Sequence, residues 1–175
     1  MFSDFLRDEY FTTAWFGLMA FVWFGWSQED PPARWRLWLG LGSGVGIALA
    51  VTFGVLTATH WSSPSALEGS YQWFGVLVGA EVVLAGAGCL VLFRRGAGRW
   101  MAWWVAVVVA AHFLPLALLL SDAGVAAVGV VQLVALGVLV PRLRGASFSS
   151  SRLAGPTMGV TLLLSAALSA ALIAL

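Results

Sequence analysis

Six apolar stretches, each close to the length a helix needs to cross a lipid bilayer, dominate this chain. They run over residues 10–26, 37–59, 71–93, 100–120, 123–140 and 153–175. A hydrocarbon core of about 30 Å takes about 20 mainly apolar residues in an α-helix. In lipid, such a segment must also satisfy its own backbone N–H and C=O groups. Strands of a transmembrane barrel would alternate apolar and polar residues over about ten positions, and that alternation is absent here. The expected fold class is therefore all-α: a polytopic, six-transmembrane-helix bundle forming one transmembrane domain over residues 1–175. Composition agrees, because only 10% of residues are charged and 61% are hydrophobic, whereas about a quarter of a soluble domain is charged.

The separators between the stretches carry turn chemistry. They are Gln28-Glu29-Asp30-Pro31-Pro32, Ser62-Ser63-Pro64, Arg94-Arg95-Gly96, Ser121-Asp122, and the stretch from Pro141 to Arg152 with its serines. None is long enough for a soluble domain. The N-terminus has Arg7 as its only basic residue and lacks the small-residue cleavage site of a secretory signal, so the first span is expected to be retained. Eight of the nine basic residues follow spans one, three and five: Arg34, Arg36, Arg94, Arg95, Arg99, Arg142, Arg144 and Arg152. On the other side, Arg7 stands alone against Asp4, Asp8, Glu9, Glu68 and Asp122. The positive-inside rule then places both termini on the non-cytoplasmic side. The arginines are expected to lie near lipid phosphates and to set topology.

Tryptophans mark the same boundaries. Trp23, Trp26, Trp35, Trp38, Trp100, Trp103 and Trp104 fall at cytoplasmic ends, and Trp61 and Trp73 at outer ends, as an aromatic belt requires. Trp15 lies deeper. Several function classes drop out on composition. The net charge of +1 gives no basic footprint for nucleic acid. A single cysteine, Cys89, precludes a disulfide framework or a cysteine metal cluster and reads as a small core residue. Without lysine there is no Schiff-base chromophore, and without asparagine no N-glycosylation acceptor. His60, at the outer end of span two, is about half a membrane from His112, which argues against a bis-histidine haem. No cofactor and no metal is expected.

Small residues suggest how the helices pack. Gly42, Gly46, Ala50 and Gly54 recur every four residues in span two, and Gly75 and Gly79 do so in span three. Such spacing permits close backbone approach, and spans two and three are expected to contact tightly. Thr157, Thr161, Ser165 and Ser169 form a hydroxyl stripe in span six, expected to pack and to bond back to its own helix. No three-plus-three repeat is evident.

The polar residues at depth carry most of the functional information. Glu81 lies 13 residues before Arg94, and His112 lies 13 after Arg99. At about 1.5 Å per residue both sit about 20 Å from the arginine loop. A connection this short makes spans three and four antiparallel neighbours, so the carboxyl and the imidazole are expected to meet at mid-membrane. Ionisable groups at that depth are costly and usually functional. Desolvation and mutual pairing act oppositely on such groups, so their protonation would be coupled. Pro115 frees the carbonyl of Ala111 beside His112 and offers a flex point. Gln132, ten residues before Arg142, is expected to line the same cavity from span five.

The run His112-Phe113-Leu114-Pro115-Leu116-Ala117, after a span with Tyr71 and Glu81 and the arginine loop, resembles small bacterial multi-spanning membrane proteins with no established activity. That resemblance implies a bacterial inner-membrane location and does not reach a substrate. The abundance of Ala, Gly, Val and Arg fits a GC-rich bacterial genome.

On these grounds the leading expectation is a proton-linked transporter or permease for a small molecule. In it Glu81 exchanges a proton or a cationic substrate, His112 tunes or relays it, and Gln132 contacts the ligand. A chain of this size would then be expected to act as a homodimer in the lipid bilayer, with the Gly42 to Gly54 stripe as a possible interface. The alternative is a non-transporting ligand-binding or accessory protein in which the pair only orders the helices. An enzyme ranks third, because one Glu and one His supply no recognisable third catalytic group.

Overall fold

The computed structural model describes residues 5–175, so Asp4 lies outside the described residues. Six α-helices follow one another: α1 (Leu6–Ser27), α2 (Arg36–Thr59), α3 (Tyr71–Arg94), α4 (Met101–Leu120), α5 (Ala123–Arg144) and α6 (Ser151–Ile173). There is no strand among the described residues. Five of the helices, α2 to α6, are long and apolar enough to cross a membrane. The chain is therefore a helical membrane protein. Its connections alternate between two ends: the arginine end, with the α1–α2, α3–α4 and α5–α6 loops, and the opposite end, where Arg7 lies.

The first helix stands apart from the other five. Its length suits a span, but it is the least apolar of the six. Its first turn carries Arg7, Asp8 and Glu9. Asp8 and Glu9 favour that position because they meet the positive end of the helix dipole. This polar helix is also the most enclosed, with α2 packed along one side and α6 along another. Enclosure supplies the partners its hydroxyls need: the Thr13 hydroxyl lies 2.7 Å from that of Ser169 on α6 and 2.8 Å from the Glu9 carbonyl. Phe16, Ala20, Trp23 and Phe24 of α1 enter a core shared with Ala106, Ala110 and Phe113 of α4, Leu136 of α5, and Met158 and Leu162 of α6.

The expected contact between spans two and three does not form. The glycines of α2 face α1 instead: a Cβ placed on Gly46 would lie 2.6 Å from the Gly17 carbonyl oxygen. The Phe24 ring lies between Gly42 of α2 and Gly159 of α6, 2.7 Å from where a Cβ on either would sit. Gly75 and Gly79 of α3 have open space beside them. Helix α3 packs mainly on α4 and buries no residue fully. Four-residue glycine spacing marks a face that accepts a close neighbour without specifying which helix supplies it.

One boundary also differs. Helix α5 runs past Pro141 to Arg144, because a proline near a helix end removes one backbone bond without ending the helix. At its start Asp122 caps the helix, its Oδ1 accepting from the Gly124 N–H at 2.7 Å. Asp122→Ala is expected to lower stability by about 1 kcal/mol, the usual loss for a side-chain N-cap. A melting curve in detergent measures it.

At the arginine end the loops are stitched together. Arg152 donates to the Asp30 carboxylate at 2.6 Å and stacks over Phe148, while Ser151 donates to Glu29 at 2.7 Å. Arg99 donates to the carbonyls of Leu143 and Ala146. Two of the arginines read from sequence as topology determinants thus also tie helices α1, α5 and α6 to their neighbours.

Candidate functional site

A cleft of about 590 Å³ separates α1 from the α3–α4 hairpin. That volume falls within the range of small-molecule sites. It follows α1 from Arg7 to Trp26, about 29 Å at the helical rise of 1.5 Å per residue. It exists because α3 leans on α4 and leaves the facing side of α1 uncovered. Its walls are largely apolar and aromatic, with Trp15, Phe16 and Met19 from α1, Phe74 from α3, and Val109 and Phe113 from α4.

Glu81 and His112 meet on this wall. The Glu81 Oε2 and His112 Nδ1 atoms are 3.1 Å apart, with the imidazole side chain 7% exposed and the carboxyl 24% exposed. Both line the cleft. The separation is that of an ion pair, yet the alignment is not that of a hydrogen bond, and Nδ1 has no hydrogen-bond partner among the described residues. A buried polar atom without an aligned bond is rare in folded proteins and calls for an explanation. One ring contact within α4 braces the imidazole. Its ring packs edge-on near Phe113 at 6.3 Å between centroids, and Phe113 packs on Phe16 of α1 at 5.4 Å. Pro115 sits one turn further on inside the helix. Nearby, Gly129 lets α5 approach α4 so closely that a Cβ there would lie 2.7 Å from the Ala110 carbonyl.

Gln132 is placed elsewhere. It is fully buried between α5 and α6, where its Nε2 donates to the Thr161 hydroxyl at 2.8 Å, and it is not among the residues lining the cleft. Its Oε1 has no hydrogen-bond partner among the described residues. Spacing along α5 gives a depth for Gln132, but depth does not fix direction around the helix. The hydroxyl stripe it joins behaves as expected: Thr157, Thr161 and Ser165 donate to carbonyls one turn back in α6 at 2.8 to 2.9 Å.

Sequence reasoning missed the polar junction at the opposite end of the cleft. Arg7 is largely buried; it donates to the Trp61 carbonyl at 2.6 Å and to the Tyr71 hydroxyl at 3.0 Å, and stacks on the Trp61 ring. Asp8, also buried, accepts from the Ala66 N–H at 2.7 Å and lies 3.9 Å from Arg7. Together they pin α1 to the α2–α3 connection and to the start of α3. The available signal was that Arg7 is the only basic residue on its side of the chain. His60, expected at an interface, packs edge-on against Tyr10 at 5.2 Å.

The Arg7–Tyr71 bond also fixes the register of α1 against α3. Trp15 is eight residues along α1 and Glu81 ten along α3 from that junction, about 12 and 15 Å. They lie at nearly one depth. Among the described residues, no three His, Cys, Asp or Glu side chains converge as a metal would need. The pair therefore offers one acid and one base. No match to this chain was found among protein-family models, curated proteins or solved structures.

Proposed function

We propose that the chain is a proton-linked transporter or permease for a small molecule, with Glu81 and His112 as the proton- and ligand-binding groups. One observation carries this reading: the two side chains face each other at 3.1 Å on the wall of a cleft large enough for a ligand. An acid and a base in contact at the centre of an apolar bundle share protons, and a shared proton responds to any charged ligand placed beside it. In this reading α1 is the sixth span, both termini lie on the non-cytoplasmic side of a bacterial inner membrane, and the arginine end faces the cytoplasm. Arginine asymmetry and the resemblance of the His112 to Ala117 run support that placement. Gln132, outside the cleft, acts in this scheme only as an α5–α6 strut.

A second reading has its own support. Helix α3 buries no residue fully and rests mainly on α4, so the pair would serve as the pin that fixes its register, as polar contacts do in membrane bundles. A thermal-shift screen of amines, carboxylates and neutral aromatics at pH 6 and pH 8, on wild type and Glu81→Gln, separates the two. A ligand that stabilises wild type in a pH-dependent way, and leaves Glu81→Gln unshifted, supports the transport reading. Shifts independent of both pH and Glu81 support the pin.

A further inference from the structure

We infer that the cleft takes a lipophilic aromatic cation entering sideways from the apolar phase, which displaces the proton shared by Glu81 and His112. The inference rests on the proton-coupled reading above and names its substrate class.

Charge comes first. Among the described residues, Glu81 and His112 are the only ionisable groups lining the cleft at mid-depth. The others that line it are Arg7 and Asp8 of α1 and Tyr71 of α3, all at the opposite end and engaged with one another or with the α2–α3 connection. The residues that α2, this connection, α5 and α6 add to the lining are not ionisable: Thr57, Trp61, Ser65, Leu67, Val125 and Leu162. An anion beside Glu81 would place two negative charges together where little water screens them. A cation fits, because the carboxylate and imidazole hold one proton between them before it binds. As the cation settles against the carboxylate, that proton leaves to water, and the site keeps the same net charge. Exchange of this kind avoids placing an additional charge in an apolar bundle.

The walls select the rest of the molecule. Ring faces attract cations most strongly where water is excluded, and Phe16, Phe113 and Trp15 line the cleft around the depth of the pair, with Phe74 about 10 Å nearer the Tyr71 end. A hydrated inorganic ion would find few oxygen ligands there; a cation carrying its own apolar surface would bury it. The route in lies between α1 and α3. Phe11, Trp15 and Val22 line the cleft and are 43%, 44% and 44% exposed, Phe11 and Trp15 also lining a groove between α1 and α2. Trp15 stands at nearly the depth of Glu81, so the opening meets the acyl-chain region of a bilayer rather than an aqueous end.

Tetraphenylphosphonium tests the assignment against tetraphenylborate, which matches it in size and shape with the opposite charge. The full-length protein in detergent is expected to bind the phosphonium saturably and to release about one proton per cation, read with a pH dye in weak buffer. Because a proton is displaced, the Kd should fall about tenfold for each pH unit of increase while the site is protonated. Glu81→Gln, confirmed folded by its melting curve, should lose both binding and release. Val78→Trp, which fills the cleft from α3 without altering either charged group, should lose binding as well. Equal binding of the borate, binding without proton release, or binding retained in both variants overturns the assignment. If the phosphonium fails to bind while another ligand still shows pH-dependent, Glu81-dependent stabilisation, the substrate class is wrong and the proton-coupled site survives. If no ligand does, both fall.

Discussion

Gly46→Leu is expected to lower the melting temperature of the purified protein, whereas Gly79→Leu leaves it unchanged. The two glycines look alike in sequence, each in a four-residue small-residue pattern on an apolar helix. Their surroundings differ. At Gly46 a first side-chain carbon already falls 2.6 Å from the Gly17 carbonyl oxygen and 3.2 Å from the Phe21 nitrogen, and backbone cannot rotate away as a side chain can. Overpacking of a filled seam costs about 1 to 3 kcal/mol, occasionally more. At Gly79 nothing lies within 4 Å of that position, so leucine adds apolar surface to a face that meets lipid. Melting curves of both variants in one detergent decide this. Equal destabilisation would restore the α2–α3 seam that the spacing alone suggests.

The second large effect concerns the polar pair. Glu81→Gln is nearly isosteric and keeps hydrogen-bonding capacity but cannot titrate. It is expected to preserve the melting temperature within about 0.5 kcal/mol of stability, the usual range for a substitution that breaks no packing, while removing all pH dependence of ligand binding. His112→Ala acts differently, leaving a carboxyl without its partner and a gap beside the Phe113 ring. It should destabilise by about 1 to 3 kcal/mol, the cost of an unsatisfied buried polar group. Melting curves and pH-resolved binding on the same preparations separate loss of fold from loss of the proton.

Much of this was legible in the sequence, for identifiable reasons. Helix number follows from apolar length, because lipid leaves the backbone no other solution. The meeting of Glu81 and His112 follows from equal counts to a short loop, since a tight antiparallel hairpin converts sequence distance into depth. What the sequence withheld is direction around the helix axis. Gln132 sits at a useful depth and points at Thr161 instead of the cleft. The α2 glycines mark a close approach to α1, a partner that small residues cannot specify. Helix α1 was hardest to place, since its threonines, tryptophans and leading charges lower its apolarity precisely because neighbouring helices enclose it. Arg7 and Asp8 looked like topology residues until the Trp61 carbonyl, the Tyr71 hydroxyl and the Ala66 N–H came into reach.

The claim on which the functional account turns is that Glu81 and His112 titrate as one unit facing the cleft. Infrared difference spectroscopy between acid and neutral pH reads that directly through the protonated-carboxyl band. The account expects a wild-type band that is absent from Glu81→Gln and whose midpoint moves in His112→Gln. A spectrum in which Glu81→Gln removes no band, or in which His112→Gln leaves the Glu81 midpoint where it was, would contradict it.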